Sequence, residues 1–165
     1  IVEGVEYRVF LLDGDALFCA RKYPPFVSGD GVHTVRELLA AHNDTLRARG
    51  LSPASMPEND PSLDAVPATG ERREIPGRMN LSAGGTMTLA DAPSEKAVAL
   101  ARQAARAIGL RVAAVDMFVD VGGKPNDNEI IEVNANPSIW LLEDSSRADL
   151  ILRIWRHTFT AMGLL

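Results

Sequence analysis

The sequence predicts an α+β fold, with a mostly antiparallel sheet and flanking helices. Three observations carry this. Apolar runs flank Asp13-Gly14 and the turn-forming stretch VGGKPND at 121–127, and such pairs of runs read as hairpins. Three further segments show helical periodicity. The helices fall outside the hairpins rather than alternating with single strands, which disfavours a parallel sheet.

Taken in order, EYRVFLLDGDALFCARKY, residues 6–23, is two strands around Asp13-Gly14-Asp15. Residues 29–50 form a turn and then a helix. Thr34 with Glu37 is a capping box, Val35, Leu38, Leu39 and Leu46 make the apolar stripe, and Gly50 terminates it. Residues 51–77 contain five prolines and few long apolar side chains, so they predict a surface loop of functional length. RMNLSAGGTMTLAD, residues 78–91, reads as glycine-rich turns. SEKAVALARQAARAIG is a helix with Val98, Ala101, Ala105 and Ile108 on its inner side and Gly109 at its end. LRVAAVDMFVD and NEIIEVNAN are strands, the second reading as buried. The last helix turns Leu150, Ile151, Ile154, Trp155 and Phe159 inward.

A length of 165 residues, 46% of them hydrophobic and 24% charged, suits one ordinary domain and not a disordered chain. The net charge of −5 and the absence of a Lys/Arg block argue against nucleic acid and anionic membrane. No apolar run reaches the roughly 20 residues that span a bilayer. One thiol, Cys19, forms no internal disulfide, fits a reducing cytoplasm and reads as a small buried hydrophobe. The chain starts without Met and already in a strand, so it is expected to be a piece of a longer protein.

The chemistry concentrates in the second hairpin. Side chains alternate along a strand, so Ile130, Glu132 and Asn134 share a face. If the hairpin folds around Lys124, partners sum to 248, and Asp116 lies opposite Glu132. Opposed carboxylates repel unless something offsets the charge. A hard cation such as Mg2+ is one remedy, since Asp, Glu and Asn all offer oxygen. A solvated sheet edge or a protonated carboxylate is another. Zinc is disfavoured, because His33, His42, His157 and Cys19 lack ligand spacing. RMNLSAGGT at 78–86 adds a cation, an amide, a hydroxyl and Gly84-Gly85, whose amides are able to cradle an anion. It is not a Walker loop, lacking Gly-Lys-Ser/Thr. Glu6 and Arg8 share one face of the first strand, and Arg21-Lys22 end its partner. Together these suggest a polyphosphate site bridged by Mg2+.

The order EYR, VSGDGVHTVRELL, VPATGE, RMNLSAGGT, VDMFVD and IIEVNANPS resembles the C-terminal part of the ATP-grasp ligases. The likeness is to the branch of cyanophycin synthetase, the bacterial fused glutathione synthetase and the ribosomal-protein glutamate ligases, and it covers nearly the whole chain. It implies that Asp116, Glu132 and Asn134 hold Mg2+ (or Mn2+), with Glu132 bridging two ions. It implies that Glu6 lies near the ATP ribose, that Arg78 and Asn80 surround the phosphates and the acyl phosphate, and that Arg8 and Lys22 line the same site. Ser82, Gly84 and Gly85 are expected at the substrate, as are Asn136 and Ser138 just past the metal strand.

The implied reaction is ATP-dependent joining of a carboxylate to an amine through an acyl phosphate. Residues 1–165 are then the C-terminal lobe of the catalytic module, whose upstream lobe and lid lie before Ile1, and the piece alone is expected to be inactive. Two other readings stay open at this stage: a non-catalytic domain of the same fold, and a metal-dependent phosphohydrolase. The amino-acid or peptide-like substrates are not specified, and assembly as a homo-oligomer is left open.

Overall fold

The computed structural model describes residues 3–76 and 84–165. In chain order the elements are β1 (Val5–Leu12), β2 (Asp15–Tyr23), β3 (Phe26–Ser28), α1 (Val35–Ala48), a 3-10 turn (Pro61–Asp64), β4 (Arg72–Glu74), β5 (Thr86–Ala90), α2 (Glu95–Ala107), β6 (Val112–Val119), a second 3-10 turn (Val121–Gly123), β7 (Glu129–Asn134), α3 (Trp140–Asp144) and α4 (Ala148–Ala161). They fall into two compact units, residues 1–21 with 88–165 and residues 22–87.

The first unit is built on a five-stranded sheet in the order β5-β2-β1-β6-β7. The pairs β1–β2, β1–β6 and β6–β7 are antiparallel, as the sequence predicts. Asp13 and Gly14 turn the first hairpin with φ of 50° and 84°. Two successive positive φ values match the right-handed twist of the flanking strands, and Gly adopts one without steric cost.

One face of the sheet is mostly apolar. Tyr7, Val9, Leu11, Cys19, Ala113, Val115, Met117 and Val133 pack there against α2. Ala97, Ala101 and Ala105 supply the helix side of that contact, at 0–2% exposure. Their short side chains let the helix approach the strands closely, and Ser94 caps its first turn by accepting from the Ala97 amide at 3.1 Å. Ile108, expected on this face, is 57% exposed. It follows the last helical residue, so its backbone has already left the helical path.

The other face is divided. Phe10 and Ala114 pack beneath Leu142, Leu150 and Ile154 of α3 and α4. Phe10 also stacks on Phe18 at 4.8 Å between centroids. Farther along β1, β6 and β7 the same face carries Arg8, Asp116 and Glu132. The expectation for the last helix is corrected here. Leu150 and Ile154 are buried, but Trp155 and Phe159 stand 48% and 39% exposed, stacked on each other. Leu142 of α3, a short helix that the sequence reading did not include, joins Leu150 and Ile154 in that cluster.

In the second unit β3 and β4 pair antiparallel, and α1 packs beside them. The capping box forms as expected, with Thr34 and Glu37 each bonded to the other's backbone. The proline-rich stretch is not a bare loop. It carries the 3-10 turn and β4, and buries Leu63 and Ile75 in the core of this unit. Gly29 allows the turn into α1, since a Cβ there would lie 2.2 Å from the Ala68 carbonyl oxygen. Residues 86–90, expected as turn, form β5 instead. The alternation of Thr86, Thr88 and Ala90 with Met87 and Leu89 is the strand signal that the preceding glycines obscure. Among the described residues no helix is long and apolar enough to cross a membrane.

Candidate active site

Hairpin register is the first determinant of the site. Ala114, Val115 and Asp116 pair with Asn134, Val133 and Glu132. These are the three pairs whose numbers sum to 248, so Asp116 stands opposite Glu132 as the sequence predicts. The register then slips, and Met117 faces Ile130. Ile131 is the extra residue of this bulge, which moves Ile130 off the Glu132 face and onto that of Met117. β7 is also an edge strand rather than a buried one, with Ile130 and Ile131 at 36% and 45% exposure.

The order of the strands adds a third charged side chain. β1 lies beside β6, and Arg8 pairs in register with Asp116. The guanidinium grips the carboxylate with two bonds, Nε to Oδ1 at 2.7 Å and Nη2 to Oδ2 at 2.8 Å. Asp116 is fully buried, and the side chain of Arg8 is 12% exposed. The hydrogen bonds with Asp116 raise the Arg8 pKa, against burial, and the negative charges of Asp116, Glu132 and Glu6 reinforce the shift. Asn134 donates its Nδ2 to Glu132 Oε1 at 3.1 Å, fixing the amide beside the carboxylate. Glu132 is exposed and Glu6 is buried at 7%.

The remaining expected residues are distributed as follows. Asn136 and Ser138 line a cleft of about 500 Å3 in the first unit, with Trp140, Glu143, Trp155 and Thr158. Both tryptophans of the chain border it. Sequence reasoning missed Trp140 and placed Trp155 in the core; the apolar run Ile139–Leu142 after Pro137 carried no signal for a cleft. Ser138 also accepts from the Trp140 amide at 3.4 Å, a local bond that opens α3. Lys22, Gly84 and Gly85 belong to the second unit and are buried. Gly84 has φ of 83°, a conformation that favours glycine, and a Cβ there would touch the far end of the Leu46 side chain at 2.9 Å. Arg78, Asn80 and Ser82 lie outside the described residues.

Two histidines have partners the sequence did not show. His157 bonds Asp13, whose carboxyl is held well below the usual range mainly by the Arg111 guanidinium and then by His157. His33 bonds Asp30 at 2.6 Å. Among the described residues no three His, Cys, Asp or Glu side chains gather as metal ligands. Two carboxylates and an amide remain, and that all-oxygen set suits a hard divalent cation rather than zinc. In this structure the charge of Asp116 is already met by the Arg8 guanidinium.

No profile of a known protein family matches the chain. Individual relatives do. The chain is 33% identical to the glutathione biosynthesis bifunctional protein GshAB of Mannheimia succiniciproducens, over 84% of its own length and 21% of the relative. It is 32% identical to that of Streptococcus mutans, over 85% and 21%. The crystal structure of a bifunctional glutathione synthetase from Pasteurella multocida matches with a TM-score of 0.61 and 28% identity, over 84% of this chain and 22% of that one. The chain thus spans about a fifth of the length of the relatives it matches. The likeness to the C-terminal part of the ATP-grasp ligases, read from the motifs, is borne out by these matches, as is the α+β fold.

Proposed function

We propose, taking the chain as a C-terminal ATP-grasp segment of the bifunctional glutathione synthetase kind, that it is part of the catalytic module of an ATP-dependent carbon–nitrogen ligase. The in-register Asp116–Glu132 pair, flanked by Asn134 and Arg8 on one sheet face, carries the reading. The reaction class needs charge neutralised and groups aligned, rather than a covalent catalyst.

In this reading Asp116, Glu132 and Asn134 hold Mg2+ or Mn2+. The metal supplies charge neutralisation for the nucleotide phosphates. Arg8 and Arg78 stabilise charge on the transferring phosphoryl group. Glu6, Lys22 and Asn80 bind the nucleotide, and Ser82, Gly84, Gly85, Asn136 and Ser138 contact the substrates. A substrate carboxylate oxygen attacks the γ-phosphorus, and ADP leaves. An amine nitrogen then attacks the acyl carbon, the C–O bond to phosphate breaks, and the nitrogen gives up a proton. The carboxylate and the amine are proposed to come from amino acids or peptides.

The test is ADP release by the complete protein with each candidate substrate alone and with both together. ADP that requires both supports the ligase. ADP without an amine points to a phosphohydrolase, and none under any condition to a non-catalytic domain. Glu132→Ala should remove turnover, and full activity in that variant would refute the metal assignment.

A further inference from the structure

We propose that the cleft between the β1–β2 turn and α4 is a second binding site, separate from the Asp116–Glu132 face, and that it takes a small organic phosphate. The cleft has a volume of about 650 Å3 and lies within the first unit. Asp13, Arg111, Asp149, Arg153, Arg156 and His157 supply its charged and titratable lining. Asp13 and Arg111 each stand five positions in sequence from Arg8 and Asp116, just past the paired strand ends Leu12 and Val112. At about 3.3 Å per residue, that sets them roughly 16 Å from the Arg8–Asp116 pair.

The charges in the cleft do not balance. Asp13 is gripped by the Arg111 fork, Nε to Oδ1 at 2.7 Å and Nη2 to Oδ2 at 2.8 Å, and is bonded by His157 as well. Asp149 is held in the same way by Arg147, at 2.8 and 2.7 Å. Both carboxylates are therefore already neutralised. Arg153 and Arg156 are exposed, and their side chains make no hydrogen bond or ion pair among the described residues. They are three apart on α4, hence neighbours on one side of the helix, where like charges repel. An anion between them relieves that repulsion. Two guanidinium forks match the doubly charged head of a phosphate ester, with three free oxygens, better than a carboxylate with two.

The bonds of Asp13 also give the cleft a fixed wall. They tie the β1–β2 turn to the start of β6 and to α4, and the Asp13 amide adds a bond to the Arg111 carbonyl at 2.6 Å. The organic part of the ligand has a place as well. An adjoining pocket of about 190 Å3 shares Arg111, His157 and Ala161 with the cleft and is otherwise lined by Val112, Thr158 and Met162. A small apolar group carried by the phosphate fits there.

Phenyl phosphate, benzoate and inorganic phosphate are the probes, titrated by calorimetry into the complete protein. Phenyl phosphate should bind at least about tenfold more tightly than benzoate, which has the same ring but a single charge. It should also bind more tightly than inorganic phosphate, which has no ring. Arg153→Gln combined with Arg156→Gln should weaken phenyl phosphate at least about tenfold, the worth of one charge-assisted hydrogen bond. The melting temperature of that variant should equal or exceed that of wild type, since a repulsion has been removed. Equal binding of phenyl phosphate by variant and wild type would place it elsewhere on the protein and overturn the proposal. So would benzoate binding as tightly as phenyl phosphate, or no phenyl phosphate binding to wild type. Equal affinity for inorganic and phenyl phosphate would overturn the place of the organic part. A lower melting temperature in the variant would show the two guanidiniums to be already partnered in the complete protein, and would overturn the site.

Discussion

Asn43 is a residue whose removal has a cost that follows directly from its contacts. It sits on the inner side of α1 at 9% exposure, where a polar side chain needs partners. It has two, both on the backbone of Ala54: Nδ2 donates to the carbonyl at 2.9 Å, and the Ala54 amide donates to Oδ1 at 2.8 Å. Ala54 is itself buried at 7%. Asn43→Ala leaves a buried donor and a buried acceptor unpaired, at about 1–3 kcal/mol each. The smaller side chain also opens room through which water reaches part of the gap. The expected loss is therefore about 2–4 kcal/mol, a large share of a typical total stability of about 5–15 kcal/mol. Urea unfolding measures the loss, and hydrogen exchange at the Ala54 amide locates it. Asn43→Asp sharpens the test, because a carboxylate still accepts from the amide but repels the carbonyl. At neutral pH it should be no better than Asn43→Ala, and it should recover in acid as the carboxyl gains a proton to donate. A loss below about 0.5 kcal/mol, with unchanged exchange at Ala54, would refute the assignment of this clamp.

Two further outcomes follow from titrating groups. The His33 pKa is raised from 6.5, first by its hydrogen bond to Asp30 and then by that carboxylate's charge. Its midpoint, read by nuclear magnetic resonance, should fall back in Asp30→Asn. A raised folded pKa stabilises below the unfolded value, so this contribution is complete below about pH 6.5 and is lost as pH rises through the folded midpoint. Burial pushes the Cys19 thiol up to about 11. Thiol reagents at pH 8 should therefore leave it unmodified in the folded protein and label it in urea; labelling of the native protein at the rate of a free thiol would contradict its place under α2.

Much of the fold is written in short stretches. The Asp13-Gly14 turn, the Thr34–Glu37 box and the Asp116–Glu132 register all appear where the sequence puts them. Each depends on residues close in the chain, or on a hairpin whose turn fixes its pairing. The errors have a common source. Trp155 and Phe159 have the spacing of a buried stripe, yet they stand exposed while Leu150 and Ile154 are buried with Leu142 of α3. Ile130 follows strict alternation until the bulge shifts it. β5 is masked by the glycines before it, and the proline-rich stretch conceals β4.

The sequence by itself determined which residues share the face proposed as the site: two carboxylates and an amide brought together by a single hairpin. Only the tertiary structure decided what stands beside them. β1 pairs with β6, and that pairing sets Arg8 on Asp116, 108 positions apart in sequence. No local propensity encodes such a choice. It is made by which strands bury the Val9, Val115 and Met117 face together under α2, a gain that belongs to the whole sheet and to none of its segments.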